Sequence, residues 1–172
     1  MQRIELRQWK SADLDPYTEM NGDPEVMRYF PGLLTRAECE ASLERLRSAI
    51  DERGWGLWAV EVDGVFAGFT GLNVPRFEAA FTPCVEIGWR FRREYWGRGL
   101  AHRAALQALD YGFTSLGLAE IVAFTAVQNE RSRRLMERLG FVHDVNGDFD
   151  HPAVPEGHAV RRHVLYRKPR TA

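Results

Sequence analysis

Apolar and polar residues alternate from Ile4 to Trp9, which predicts a first strand. Ser11-Ala12-Asp13-Leu14 then offers a helix start, with Ser11 or Asp13 as the cap. Asn21-Gly22-Asp23-Pro24 breaks that helix, and Glu25 to Phe30 reads as a short helical turn. Thr35 and Glu38 have the spacing of a capping box. The Ala-, Leu-, Glu- and Arg-rich stretch after them predicts a helix over Arg36 to Arg53, ended by Gly54. Leu57 to Val62 and Val65 to Asn73 read as strands joined by the hairpin signal Asp63-Gly64.

Pro75 to Pro83 is expected to be a loop. Beyond it, Val85, Ile87, Trp89 and Phe91 alternate with Glu86, Gly88 and Arg90, the period of a strand. A glycine-bearing turn leads into a helix from about Gly99 to Leu116. Glu120 to Val127 reads as a strand, and Asn129 to Leu139 as a helix stopped by Gly140. Phe141 to Val145 and Val160 to Tyr166 supply the last strands, with a polar loop, Asn146 to His158, between them. There is no repeat, low-complexity stretch or linker. The order strand, glycine turn, helix, strand, helix, strand predicts one mixed α/β domain over residues 1–172.

Composition narrows the function classes. A chain of 172 residues is long enough to bury a core, and 45% hydrophobic with 27% charged content is that of a globular protein. The net charge of -1 gives no reason to expect nucleic acid or an anionic membrane as a general partner. The first residues lack the apolar core of a signal peptide, and no apolar run approaches the roughly 18 residues of a membrane span. Two cysteines, Cys39 and Cys84, make no disulfide framework. The expectation is a cytoplasmic protein.

The turn Trp96-Gly97-Arg98-Gly99-Leu100-Ala101 carries the first chemistry. A glycine turn that opens a helix can bind phosphate, because the first helical N–H groups lack partners and the helix dipole is positive there. Arg90, Arg92, Arg93 and Arg98 add positive charge nearby. The same turn could equally be a tight connection that binds nothing. It is not a Walker A loop, since no Gly-Lys-Ser/Thr follows, and it lacks the third glycine of a dinucleotide fingerprint.

The run Glu86 to Ala101 resembles motif A of the GNAT acyl-CoA N-acetyltransferases, and Asn129 to Phe141 resembles motif B. The similarity is strongest from Val85 to Phe141 and closest to the subgroup of ribosomal-protein N-terminal acetylases and spermidine acetyltransferases. Trp96 stands where Gln or Arg is usual in the superfamily, a departure common in that subgroup. The resemblance implies a central mixed, mostly antiparallel sheet flanked by helices, and acetyl-CoA as cosubstrate with no metal. It implies that N–H groups from Arg98 through Gly99, Leu100 and Ala101 to His102 hold the pyrophosphate, within a site that includes Trp96 and Gly97. It further implies that the backbone of Trp89, Arg90 and Phe91 pairs with the pantetheine arm, and that the Asn129 side chain hydrogen-bonds to it, with N-capping as that residue's other reading.

Amine acetylation needs the amine positioned, a proton removed and the leaving thiolate tolerated. Glu86, on the strand face opposite Ile87, Trp89 and Phe91, is the candidate base; its alternative is an exposed or salt-bridged strand carboxylate. Asp150 and Glu156 in the late loop are weaker candidates. Asn129, Ser132 and Met136 share one helix face. Many relatives place a general-acid tyrosine at the position of Met136; the resemblance moves that role to Ser132. Arg133 and Arg134 could meet the cofactor's 3′-phosphate, although a solvated helix face explains them.

Other constellations carry less. Cys39 reads as packing, and nothing near Cys84 would make a reactive thiol. His143, His151, His158 and His163 fit no zinc motif and read as solvated, with some available to line an acceptor pocket. Asp13, Asp15, Glu19, Asp23 and Glu25 would suit a cationic acceptor, or simply face water. The expected activity is transfer of acetyl from acetyl-CoA to a protein N-terminus, a polyamine or another small amine. The competing readings are a catalytically silent acyl-CoA-binding domain and a module binding another phosphate. A homodimer is plausible for the subgroup, without a sequence feature that decides it.

Overall fold

The computed structural model describes residues 2–171. Eight strands form one sheet in the order β1-β2-β3-β4-β5-β8-β6, with β7 also paired to β8. They are β1 (Ile4–Arg7), β2 (Leu57–Val62), β3 (Val65–Asn73), β4 (Glu86–Phe91), β5 (Glu120–Ala126), β6 (Val142–His143), β7 (Phe149–Asp150) and β8 (Arg162–Pro169). Every pairing is antiparallel except β4 with β5. Four helices, α1 (Leu14–Asn21), α2 (Arg36–Arg53), α3 (Leu100–Thr114) and α4 (Glu130–Arg138), cover the faces. The mixed α/β architecture expected from sequence is the one observed. Among the described residues no helix is long and apolar enough to cross a membrane.

The central strand β3 is buried over seven consecutive residues, as a strand covered on both faces must be. A register shift opposite Val60 and Glu61 leaves Ala67 unpaired on β3. The bulge returns Phe66 to the face of Phe69 although the two are three apart. Both rings therefore pack against Trp9, Phe69 also meets Tyr17 of α1, and all four join one buried cluster with Cys39 of α2. On the opposite face Leu72 and Ile87 pack with Ala105, Ala108 and Leu109 of α3 and Leu135 of α4. Glu86, Gly88 and Arg90 thus belong to the α1–α2 face, and Ile87, Trp89 and Phe91 to the α3–α4 face.

Most boundaries follow the sequence reading, and the departures have local causes. Helix α2 runs from Arg36 to Arg53, with the Thr35–Glu38 capping box formed and Gly54 left-handed at its end. Asp63 and Gly64 both have positive φ, as a tight hairpin demands. β1 stops at Arg7, short of Trp9, whose indole N–H instead donates to the Leu57 carbonyl. Asp13 occupies the N-cap position of α1, but its side chain makes no capping hydrogen bond there. The Asp13 carboxylate turns back to take the Lys10 N–H and both terminal nitrogens of Arg7. Glu25 to Phe30 forms successive hydrogen-bonded turns, not a helix. The expected strand Phe141 to Val145 shrinks to two residues, and β8 begins two residues later than expected and extends to Pro169. The Asn146 to His158 segment is not simply a polar loop: it contains β7 and the buried Val154.

Candidate active site

β4 and β5 touch at a single register pair, Glu86 with Val122. Past it the strands diverge, because each is held on its other edge: β4 by β3, and β5 by β8 along its whole length. The Arg92 N–H donates to Ala67 across the β3 edge, and Arg90 sits opposite Phe69 there. A residue's N–H and C=O leave a strand on the same edge, so alternate residues, Trp89 and Phe91, face the gap. Beyond the bridge, Trp89 has no strand partner among the described residues for either group. The Phe91 carbonyl is already taken, at 2.9 Å, by the indole N–H of Trp96. Trp89 N–H and C=O and the Phe91 N–H are therefore left facing the gap, whereas the Phe91 carbonyl is occupied and the backbone of Arg90 is committed to β3.

The gap opens into a cavity of about 630 Å³. One end is the glycine turn. Gly97 and Gly99 have φ of 71° and 69°, and a Cβ on either would meet no protein atom within 4 Å. Gly99 is the N-cap of α3 and brings no side-chain cap, so the first N–H groups of the helix stay open to the cavity. Trp96, Gly97, Gly99, Leu100, Ala101 and His102 all line it. Arg98 does not. Its guanidinium folds back onto the Glu94 carbonyl and Gln2.

The positive charge expected around this turn is arranged differently. Arg92 pairs with Glu19 and Glu94, and Arg93 with Asp23. Arg133 binds the Tyr166 hydroxyl and the Val127 carbonyl, and Arg134 pairs with Glu130. The arginines that do line the cavity from α4 are Arg131 and Arg138. Arg131 lies over the Trp96 ring, 3.9 Å from its centroid, and so links the start of α4 to the glycine turn. Sequence reasoning missed both. Their only signal was adjacency to the Asn129–Ser132–Met136 face.

That face does front the cavity. The Asn129 side chain is a working N-cap: its oxygen accepts from the Ser132 N–H at 3.2 Å and its amide donates to Thr125. Both functions are thus engaged within the protein. Ser132 is half-buried, and Met136 is buried at 2% exposure.

Glu86 sits where β4 and β5 part. Its carboxylate accepts one hydrogen bond, 2.8 Å from the Asn73 amide, and lies within salt-bridge distance of no cation among the described residues. Burial pushes its pKa up to about 7, against the smaller opposing pull of Asn73. Asp150 is exposed and pairs with Arg162, and neither it nor Glu156 reaches the cavity. The readings of a salt-bridged Glu86 and of a loop base are both displaced.

The wall at the β5–β8 end is aromatic. Phe124, Phe149, His151 and His163 pack with Phe77 and Phe81 from the loop before β4. Burial, and then the neighbouring His163, lower the His151 pKa to about 4. Burial also lowers that of His163. These two histidines are packed into the wall with burial holding their pKa values down, which corrects the solvated reading, and both line the cavity with Phe124.

A family model described as an acetyltransferase (GNAT) domain matches residues 3–142. The chain belongs to the GNAT acetyltransferase family. As a GNAT protein it is an acyltransferase, and several of its relatives carry acetyltransferase names. YkkB of Bacillus subtilis (strain 168) is 33% identical over 143 residues, 80% of this chain and 81% of that protein. The spermidine N(1)-acetyltransferase of Escherichia coli (strain K12) is 31% identical over 157 residues, 86% of this chain and 76% of that enzyme. A GNAT-family acetyltransferase structure from Bacillus anthracis aligns at a TM-score of 0.77 and 25% identity, over 97% of this chain and 95% of its own. The structure of yncA from Salmonella typhimurium with its cofactor acetyl-CoA shares the GNAT fold at a TM-score of 0.73 and 20% identity, over 98% of this chain and 93% of its own.

Proposed function

We propose that the chain transfers the acetyl group of acetyl-CoA to a primary amine in a ternary complex, with Glu86 as general base. The observation that carries this is Glu86 itself. A carboxyl raised to about 7 by burial lines the same cavity as an unpaired strand edge and an open helix N-terminus. A group titrating near neutrality is matched to proton removal from an ammonium.

The free N–H and C=O of Trp89 and the free N–H of Phe91 fit the amides of a pantetheine arm, and the N–H groups at the start of α3 fit a pyrophosphate. Acetyl-CoA supplies an already activated acyl thioester. Glu86 takes the proton of the incoming ammonium, directly or through water, and the freed lone pair attacks the acyl carbon. The bond from nitrogen to the acyl carbon forms as the C–S bond breaks; Ser132, on the cavity face of α4, passes its hydroxyl proton to the departing thiolate and recovers one from the second N–H proton that the nitrogen sheds in becoming an amide. That step is the less demanding one, because a thiolate is a tolerable leaving group near its pKa.

The test is thiol release from acetyl-CoA against a panel of amines, with wild type and Glu86→Gln compared. The expected result is amine-dependent release that falls in the variant while CoA still binds. Tight CoA binding without turnover on any amine would leave only a silent binding domain. An unchanged rate in Glu86→Gln would remove Glu86 as the base.

A further inference from the structure

Arg90 is an arginine without an anion. It lines the cavity, and among the described residues no carboxylate lies within 4.0 Å of its guanidinium. Its Nη1 donates to the neutral Asn21 side chain of α1, and its Nε is buried with no partner at all. Phe30 and Phe69 flank the group, with ring centroids 4.1 and 5.3 Å from Cζ. The neighbouring arginines are treated differently: Arg7 holds Asp13 and Glu61, Arg92 holds Glu19 and Glu94, and Arg93 holds Asp23. A buried cation without a counter-ion is costly, and a planar guanidinium gripped on its faces offers its edge to a carboxylate.

Arg90 shares its strand face with Glu86, and Gly88 lies between them. At about 3.3 Å per residue, Glu86 and Arg90 each stand roughly 7 Å along the strand from Gly88. Gly88 leaves that floor open, since a Cβ there would reach only Leu57, at 3.5 Å. An amine above Gly88 has the base on one side and the guanidinium on the other. A carboxylate two bonds from that amine puts an oxygen up to about 3.6 Å from the nitrogen, and a hydrogen bond of about 2.8 Å to the guanidinium covers most of the remaining interval.

We propose that Arg90 binds an anionic group beside the reacting amine, so that the acceptor is an amino acid with its carboxylate free. The assignment rests on the acetyl-transfer reading with Glu86 as base, and it narrows the acceptor class. A polyamine would place a second cation against Arg90. A peptide N-terminus would present an amide where the anion belongs. Four of the five acidic residues that could draw a cation are already spent: Asp13 on Arg7, Asp15 on Arg36, Glu19 on Arg92 and Asp23 on Arg93. The fifth, Glu25, lines the cavity.

The experiment compares the standard L-amino acids with their carboxamides as acceptors, together with spermidine, by thiol release from acetyl-CoA. Wild type, Arg90→Gln, Arg90→Lys and Glu86→Gln are run side by side. The expected result is that wild type prefers at least one free acid over its amide by about 100-fold or more in kcat/KM. Arg90→Gln should bring that ratio close to one with KM for acetyl-CoA unchanged, and Arg90→Lys should restore part of it. Equal or better use of amides or spermidine by wild type overturns the proposal. So does an Arg90→Gln variant that lowers acid and amide alike, which is what a purely structural arginine would do. Binding of the same acids and amides to the CoA complex is measured by calorimetry, so an absence of turnover is also decisive: no carboxylate-dependent binding overturns the proposal. Failure of the base reading shows separately, as an unchanged rate in Glu86→Gln.

Discussion

The side-chain amide of Asn73 donates to Oε1 of Glu86 at 2.8 Å, across the register pair that joins the end of β3 to the start of β4. It is the one hydrogen bond that favours the charged form of a carboxyl otherwise raised to about 7 by burial. Activity is therefore expected to rise through an acid limb near that pH in wild type. Glu86→Gln should lower kcat by roughly 10²–10⁴-fold and remove the limb. Asn73→Leu should keep activity but displace the limb to higher pH, because the neutral carboxyl loses its only opposing influence. A pH–rate profile of the three proteins checks this; an Asn73→Leu limb shifted downward would contradict the assignment.

Gly99 separates cofactor binding from folding. Its left-handed φ of 69° strains any other residue by about 1–2 kcal/mol, yet no protein atom lies where its Cβ would go. Gly99→Val is expected to lower Tm by only a few degrees. Affinity for CoA should fall by about tenfold or more, since the branched side chain stands where the anion approaches the helix N-terminus. Calorimetry with CoA beside a melting curve makes the comparison. A variant that melts early but binds CoA normally would place the pyrophosphate elsewhere.

Arg131 and Trp96 make the corresponding case on the other rim. With its guanidinium 3.9 Å from the indole centroid, Arg131 is held beside the glycine turn and still lines the cavity. Arg131→Ala should raise KM for acetyl-CoA by roughly tenfold, leave kcat nearly unchanged and weaken the salt dependence of cofactor binding. A fall in kcat at constant KM would assign Arg131 to the chemistry instead.

The strand–turn–helix core of the site was legible because each part has a local signature. Period-two alternation set Glu86 opposite Ile87, and paired glycines before a helix marked the anion end. Pairings across long sequence distances were not legible. Nothing near Glu86 in the chain announces Asn73, and nothing near Arg7 announces Glu61. The aromatic wall draws Phe77, Phe124, Phe149 and His163 from four separate segments, so its histidines looked like loop residues. Parity along β4 already placed Arg90 with Glu86, but only the sheet register showed that its backbone belongs to β3.

His151 and Glu86 should leave opposite marks on stability. His151 has its pKa lowered to about 4 in the folded chain, from 6.5. Between those values the unfolded chain binds more protons, so its contribution to stability is lost as pH falls through that window. Glu86 is raised to about 7 from 4.5, so the folded chain binds more protons there, and its contribution is lost as pH rises. Tm measured from pH 4.5 to 8 separates the two. His151→Phe should flatten the acid-side loss, because the ring packing with Phe77 is kept and the titrating group is gone. Glu86→Gln should gain Tm relative to wild type as pH climbs from 5 to 8. An acid-side loss unaltered in His151→Phe would mean that the buried imidazole takes up its proton without disturbing the aromatic wall.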